Sequence, residues 1–339
     1  CALTLKNKIK KELLKCGYKP LQILGRTKLF CNTYDNNTLN KLSNYLLEKE
    51  YNTFNIYMPS FSKAIIQVID NDGKCKNIIK IAFDEIASTA LRKEQGSIHT
   101  LKKYTFNNFE IPDVLNVEIS KDIVAVEYSC PPQYTPFETL DTSSNILPIL
   151  TELFMANSNP KMLVTETSVF KTIAERIGNI HKPELQRGLS LILENLKYKF
   201  KEVFIPLGIV HYDFKPWNML INSVSGKLFI VDWELMQKTG LPFWDAYSFI
   251  LFTHFTLYAN DSPQKAYDKF QQHSAFFSQY AKIINIDFTL VEKLLPLYLL
   301  DLLTINEFWH RWEKEENRPQ RVFDSILRFL HFLNKQANG

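Results

Sequence analysis

Residues 209–234, IVHYDFKPWNMLINSVSGKLFIVDWE, constrain this chain more than any other stretch. His211, Asp213, Lys215 and Asn218 follow one apolar run, and Asp232 and Glu234 follow another, LFIV. Between NMLI and LFIV lies NSVSGK, a turn-rich segment that reads as the bend of a hairpin. Two polar clusters are thereby brought to the ends of short strands, where chemistry is usually placed. The rest of the chain has to supply a scaffold around them.

Composition sets the outer bounds. At 339 residues, 45% hydrophobic and 22% charged, the chain is long enough for one large domain or two lobes with a sizeable core. Its 25 Phe and 15 Tyr favour a thick core and a ring-lined pocket. A net charge of +4 makes no case for nucleic acid, and none is expected as a partner. Cys1, Cys16, Cys31, Cys75 and Cys130 contain no CxxC pair, so zinc and a redox dithiol are not expected. A reducing, cytoplasmic setting fits them. The apolar run Ala246 to Tyr258 is too short to span a bilayer, and no transmembrane segment is expected. The start, CALTLKNKIKKELLK, lacks the apolar core of a signal peptide. It also opens without Met, which suggests a piece of a longer product.

Periodicity divides the chain into three parts. Residues 1–50 read as an N-terminal extension: an amphipathic helix over Lys6–Lys15, short strands over Leu21–Asn32 around Gly25, and a helix over Thr38–Glu50. Its lysines offer a weak surface contact for an acidic partner or membrane, against the plainer reading of a solvated face. Residues 51–130 read as a small lobe. FNIYM, AIIQVID and NIIKIAF alternate as strands, with Asp72-Gly73 as a hairpin turn. A helix over Ile86–Lys103 and the strands IPDVLNVEIS and DIVAVEY complete a five-stranded antiparallel sheet. The proline-rich CPPQYTPFETLD is the candidate linker. Residues 131–339 read as a mostly helical lobe, with helices expected at 146–156, 169–181, 185–200, 244–258, 263–284, 290–313 and 318–335. The fold class is α+β.

The order of polar residues in the opening stretch is what phosphoryl transfer needs. A nucleoside triphosphate must be neutralised by metal, and hard Mg²⁺ takes carboxylate and amide oxygens. Asn218 and Asp232, each at a strand edge, are the candidate ligands. Asp213 is the candidate base, set to accept or orient the proton of a substrate hydroxyl that attacks the γ-phosphorus. Lys215 is placed to offset charge on the transferred group.

HYDFKPWN followed by VDW resembles the catalytic loop and metal-binding motif of the protein-kinase-like superfamily, in its aminoglycoside phosphotransferase and choline kinase branch. That branch carries H-x-D-x-x-x-x-N and then I/V-D-W/F-E, and here Glu234 stands where protein kinases have the Gly of Asp-Phe-Gly. The resemblance covers about residues 51 to 335. It implies a bilobal kinase-like fold, with a small antiparallel β N-lobe and a larger helical C-lobe. It also implies an ATP- and Mg²⁺-dependent kinase acting on a hydroxyl of a small molecule or saccharide. Lys80, in NIIKIAF, matches the strand lysine that contacts the α- and β-phosphates. Glu94, in LRKEQGSIHTLKKY, matches the helix glutamate that holds it, and Glu85 is a weaker rival.

The same resemblance assigns a nucleotide-binding role to four further residues. Ser60 and Ser62, in the loop Pro59-Ser60-Phe61-Ser62-Lys63, stand where the family covers the phosphates, although that loop has no Gly. Glu127 and Ser129 lie in a segment resembling a kinase hinge, and their backbone groups would bond adenine. Asp245 and His211 are read as supports of the catalytic loop, and Asp301, Glu307 and Trp309 as candidates to face the acceptor pocket. Two rivals stand beside this reading. A pseudokinase-like module that binds nucleotide or a partner has the missing glycines in its favour. A protein kinase is favoured by Lys215, two residues after the Asp, and disfavoured by Glu234 and by the short interval from Asp232 to Asp245.

Overall fold

The computed structural model describes residues 19–23, 27–31, 36–49, 54–60, 62–120, 122–130, 134–137, 146–157, 160–305 and 318–336. The expected Lys6–Lys15 helix lies outside them, as do Glu307 and Trp309. In chain order the elements begin with β1 (Lys19–Ile23), β2 (Thr27–Cys31), α1 (Asn36–Leu47), β3 (Phe54–Ser60), β4 (Lys63–Ile69) and β5 (Cys75–Ala82). Then come α2 (Glu85–Leu101), β6 (Phe109–Glu110), β7 (Val114–Ile119), β8 (Val124–Ser129) and β9 (Tyr134–Pro136). The next elements are α3 (Ile146–Met155), β10 (Met162–Leu163), α4 (Ser168–Gly178), α5 (Pro183–Lys199), β11 (Phe204–Ile205), β12 (Gly208–Val210), β13 (Met219–Asn222), β14 (Leu228–Ile230) and β15 (Gln237–Gly240). The last are α6 (Trp244–Tyr247), a π-helical turn (Ser248–Phe252), α7 (Thr253–Leu257), α8 (Pro263–Gln272), α9 (Ser274–Ile283), α10 (Thr289–Thr304) and α11 (Arg318–Gln336).

The chain forms two compact units. One takes residues up to Thr105, Phe109–Pro136 and Met219–Leu235; the other takes Phe106–Asn108, Phe137–Asn218 and the residues from Met236 onward. In the first, a seven-stranded sheet runs β1-β2-β3-β4-β5-β8-β7. Five strands were expected; β1 and β2, from the stretch read as an extension, add to the edge, and β2 pairs with β3 in parallel. Alternation explains the inner strands: Ala64, Ile66 and Val68 of β4 are buried while their neighbours are not. These residues meet Ile56, Met58, Ile79, Ile81 and the α1 residues Leu42 and Tyr45 in one core. The β4–β5 turn uses Gly73 at φ 78° and the Asp70 carboxylate, which accepts the N–H groups of Asp72 and Lys74 at 3.0 and 2.8 Å. A four-stranded sheet, β6-β14-β13-β9, completes this unit. Its central β13–β14 hairpin is the one read from NMLI and LFIV.

The second unit is mostly helical, as expected. Thr167 caps α4 by accepting the Phe170 N–H at 3.3 Å, and Pro183 opens α5. Two expected helices are interrupted. Residues 263–284 divide into α8 and α9 at His273, and residues 244–257 pass through the wider π-helical turn. Among the described residues no helix is long and apolar enough to cross a membrane. The α+β class, with a largely antiparallel sheet in one unit and mostly helices in the other, agrees with the sequence reading.

Candidate functional site

In the first unit the polar cluster is built around Lys80. Ile79 and Ile81 face the core of β5, so strand alternation turns Lys80 to the other side of the sheet. On α2, Leu91, Glu94, Ile98 and Leu101 share the buried stripe, which carries the Glu94 carboxylate to that lysine. Lys80 Nζ lies 2.8 Å from both Glu94 oxygens and 2.9 Å from Asp232 Oδ1. Tyr128, from β8, donates its hydroxyl to Glu94 Oε2 at 3.2 Å. Burial alone would lower the Lys80 pKa, but the Asp232 and Glu94 carboxylates outweigh it and hold the ammonium well above the ordinary lysine value. Lys80 therefore stays charged throughout the physiological range.

Asp232 follows β14 with a left-handed φ of 71°, and the next residue fixes the bend. Trp233 is fully buried, donates its indole N–H to the Ile230 carbonyl at 2.8 Å, and stacks on Phe109 with ring centroids 6.4 Å apart. Glu234, valued in the sequence only as a mark of substrate class, accepts a 2.6 Å bond from Lys63 at the start of β4. No local pattern announces that pair, because its members are separated by 171 positions.

In the second unit the loop after β12 is held from within. Tyr212 adopts φ 71°, and the Asp245 carboxylate accepts the N–H groups of His211 and Tyr212 at 2.7 and 2.8 Å. Burial pushes the Asp245 pKa up to about 7, against the downward pull of those two bonds. His211 Nδ1 accepts the Asp213 N–H at 3.2 Å, so the imidazole braces the backbone. The Asp213 side chain has two partners: Lys215 pairs with Oδ1, and Asn218 Nδ2 donates to Oδ2 at 2.8 Å and to the Asp213 carbonyl at 2.9 Å. Phe214 is buried against Phe249 of the π-helical turn, centroids 6.1 Å apart, which anchors the segment. Asp213, Lys215 and Asn218 thus form one hydrogen-bonded group.

No protein-family model and no curated protein matches the chain by sequence. Solved structures do match its shape. The GDP complex of wild-type aminoglycoside 2'-phosphotransferase-IIIa superposes with a TM-score of 0.54 at 14% identity, over 89% of this chain and 99% of that one. A choline kinase from Streptococcus pneumoniae gives 0.55 at 14% identity, over 86% and 98%. A choline/ethanolamine kinase family protein from Mesorhizobium loti gives 0.55 at 12% identity, over 87% and 94%. The fold is protein-kinase-like. It is the fold of these aminoglycoside phosphotransferase and choline/ethanolamine kinase structures.

Strand pairing and buried contacts place the remaining candidate residues of this kinase-like fold. Ser60 ends β3 opposite Lys63, and Ser62 sits in a turn, where its carbonyl accepts the Phe83 N–H at 2.9 Å. Ser129 does not offer its N–H to a base, because that group bonds the Asp113 carbonyl at 2.9 Å and the Ser129 hydroxyl accepts the Asp113 N–H at 2.7 Å. The Glu127 carboxylate accepts from Asn77 Nδ2 at 2.5 Å across the β5–β8 pair. Asp301, one of the candidates to face an acceptor, is buried at 1% exposure. It is bonded to Arg176 Nη1 at 3.0 Å, to the Trp244 indole at 2.9 Å and to the Tyr212 hydroxyl. Arg176 and the Tyr212 hydroxyl were missed because the partners lie 125 and 89 positions from Asp301. Glu85 begins α2 and is exposed, whereas Glu94 carries the lysine contact.

Proposed function

We propose that this chain is an ATP-dependent small-molecule kinase that moves the γ-phosphate to a hydroxyl of a small molecule or saccharide. The observation that carries the reading is the Asp213 carboxylate, flanked by the Lys215 ammonium and the Asn218 amide on a loop held by Asp245. The acceptor oxygen attacks the γ-phosphorus, the bond from that phosphorus to the β–γ bridging oxygen breaks, and ADP leaves. Asp213 accepts the hydroxyl proton as the new O–P bond forms. Lys215 offsets negative charge on the group in flight.

Lys80, held by Glu94, positions the nucleotide phosphates. Ser60 at the end of β3, Ser62 in the turn that follows, and the backbone near Glu127 contribute to nucleotide binding. Asn218 and Asp232 are the residues that would hold Mg²⁺, and their chemistry fits it. The Asn218 Nδ2 is spent on Asp213, which leaves its amide oxygen as the hard donor, and Asp232 is a part-exposed carboxylate. Among the described residues no three His, Cys, Asp or Glu gather into a metal cage. Two protein oxygens suit an ion held mainly by phosphates and water. When bound, Mg²⁺ would neutralise the triphosphate. The neighbours named for aminoglycosides and for choline or ethanolamine support a small-molecule acceptor, and a cytoplasmic setting completes the reading.

The test measures melting temperature and turnover together. ATP with Mg²⁺ raises the wild-type melting temperature, and Asp213→Ala keeps that shift while losing about 100-fold or more in turnover. A wild type that binds no Mg²⁺-dependent nucleotide sinks the proposal. Equal slow ATP hydrolysis by the two proteins supports the binding-module alternative, whose one structural support is the glycine-free β3–β4 turn.

A further inference from the structure

Trp217 has no part in the mechanism above, yet its placement asks for a ligand. It occupies the short 3₁₀ turn Pro216–Asn218, whose outer members are both buried, and it is itself 49% exposed. A large ring left half in water between the candidate base and a candidate metal ligand gives up burial that a tryptophan would ordinarily gain. The neighbouring cation is fixed. Lys215 Nζ is paired with Asp213, stands 4.1 Å from the Phe252 ring centroid and 5.7 Å from that of Trp217, and its side chain is only 13% exposed.

That arrangement decides which charge can approach. Recognition of an ammonium ligand uses open aromatic faces and an uncompensated carboxylate. Here Lys215 already takes the Phe252 face and one side of Trp217, leaving the exposed part of the indole open, and it offsets the charge of Asp213. A cationic acceptor would meet a like charge a few ångströms from the oxygen it must present. A sugar ring has one face lined by C–H groups, which can lie on an exposed indole, and hydroxyls on its rim that can reach a carboxylate and an ammonium.

We infer that Trp217 and Lys215 form an acceptor subsite for a sugar that carries no positive charge, with Trp217 as the stacking platform and Lys215 as the charge filter. The inference rests on the phosphotransferase reading and narrows its acceptor. It separates this chain from neighbours named for aminoglycosides and choline, whose acceptors are cations at neutral pH.

The experiment uses a monosaccharide panel in three charge classes, neutral sugars, uronic acids and amino sugars, with kanamycin and choline added. Binding is read by saturation-transfer NMR without nucleotide, and phosphoryl transfer by label from γ-labelled ATP. Neutral or acidic sugars bind and accept phosphate, and the cations do not. Trp217→Ala raises the acceptor KM about tenfold with kcat within about twofold, and Trp217→Phe restores most of the loss. Lys215→Gln raises the ratio of amino-sugar to neutral-sugar binding about tenfold. The Mg²⁺-ATP melting shift, kept in Trp217→Ala, shows that the variant is folded. The inference falls if kanamycin, choline or an amino sugar ranks first, if no sugar binds, or if Trp217→Ala leaves KM unchanged. Failure of the wild type to bind Mg²⁺-ATP would instead overturn the kinase reading, while the NMR arm still reads the subsite by itself.

Discussion

At Tyr212 the backbone holds φ 71°, a conformation costly for a residue with a bulky side chain. The Asp245 carboxylate secures it by accepting the His211 and Tyr212 N–H groups. Removing that acceptor as Asp245→Ala strands two N–H groups and is expected to cost about 2–4 kcal/mol in urea unfolding. Its ionisation also sets a sign. The folded-state pKa of about 7 lies above the 3.8 of the unfolded chain. The folded protein therefore holds this proton more tightly, and the stability it contributes is present below about pH 4 and lost as pH rises to about 7. Melting curves across that window should show wild-type stability falling relative to Asp245→Asn, and parallel curves would refute the assignment. At the other cluster, Glu94 is 2% exposed and its carboxylate is neutralised by Lys80. Lys80→Met leaves that charge buried without its cation, and a destabilisation of about 3–5 kcal/mol is expected in denaturant titration. Truncating Lys63, whose partner Glu234 is more exposed, should cost under about 1 kcal/mol.

Among elements, those with a strong local pattern were legible before the structure. The alternation of β4, the Asp72-Gly73 turn and the apolar stripe of α2 each arise from contacts a few residues apart. Pairings with distant or parallel partners were not. Nothing in KPLQI or TKLFC states that β2 will lie parallel to β3, because that contact depends on a neighbouring edge. The continuous apolar pattern of residues 263–284 likewise hides the break at His273, where the backbone turns to φ −100°, ψ 13°. The β12–β15 pair, whose first strand leads into the loop bearing Asp213, depends on close approach. A Cβ on Gly208 would run into the Phe154 carbonyl and ring of α3. Gly208→Ala is therefore expected to destabilise by about 2–4 kcal/mol, and a melting temperature equal to wild type would show that the strand can shift at no cost.

At the scale of the whole molecule, the proposed ligand should be felt as stability. Mg²⁺-ATP at about 100 times its Kd adds about 2.7 kcal/mol to the folded state, and EDTA removes that gain if the ion is required for binding. Calorimetry with ATP alone, with Mg²⁺-ATP and after chelation reads both effects, and a shift indifferent to EDTA would argue against Asn218 and Asp232 as ligands. The sequence by itself determined the α+β class, the β13–β14 hairpin between two polar clusters, and the grouping of Asp213 with Asn218 and of Lys80 with Glu94. The class and the hairpin follow from short-range periodicity and turn chemistry, and the two groupings from the resemblance to the kinase-like motifs. Only the tertiary structure decided that Lys63 meets Glu234, that Asp301 is tied to Arg176, Trp244 and Tyr212, and that Ser129 gives its N–H to Asp113. Each of those choices is made between side chains or strands far apart in the chain. A polar group takes whichever partner the packing leaves within reach, and sequence spacing does not record that distance.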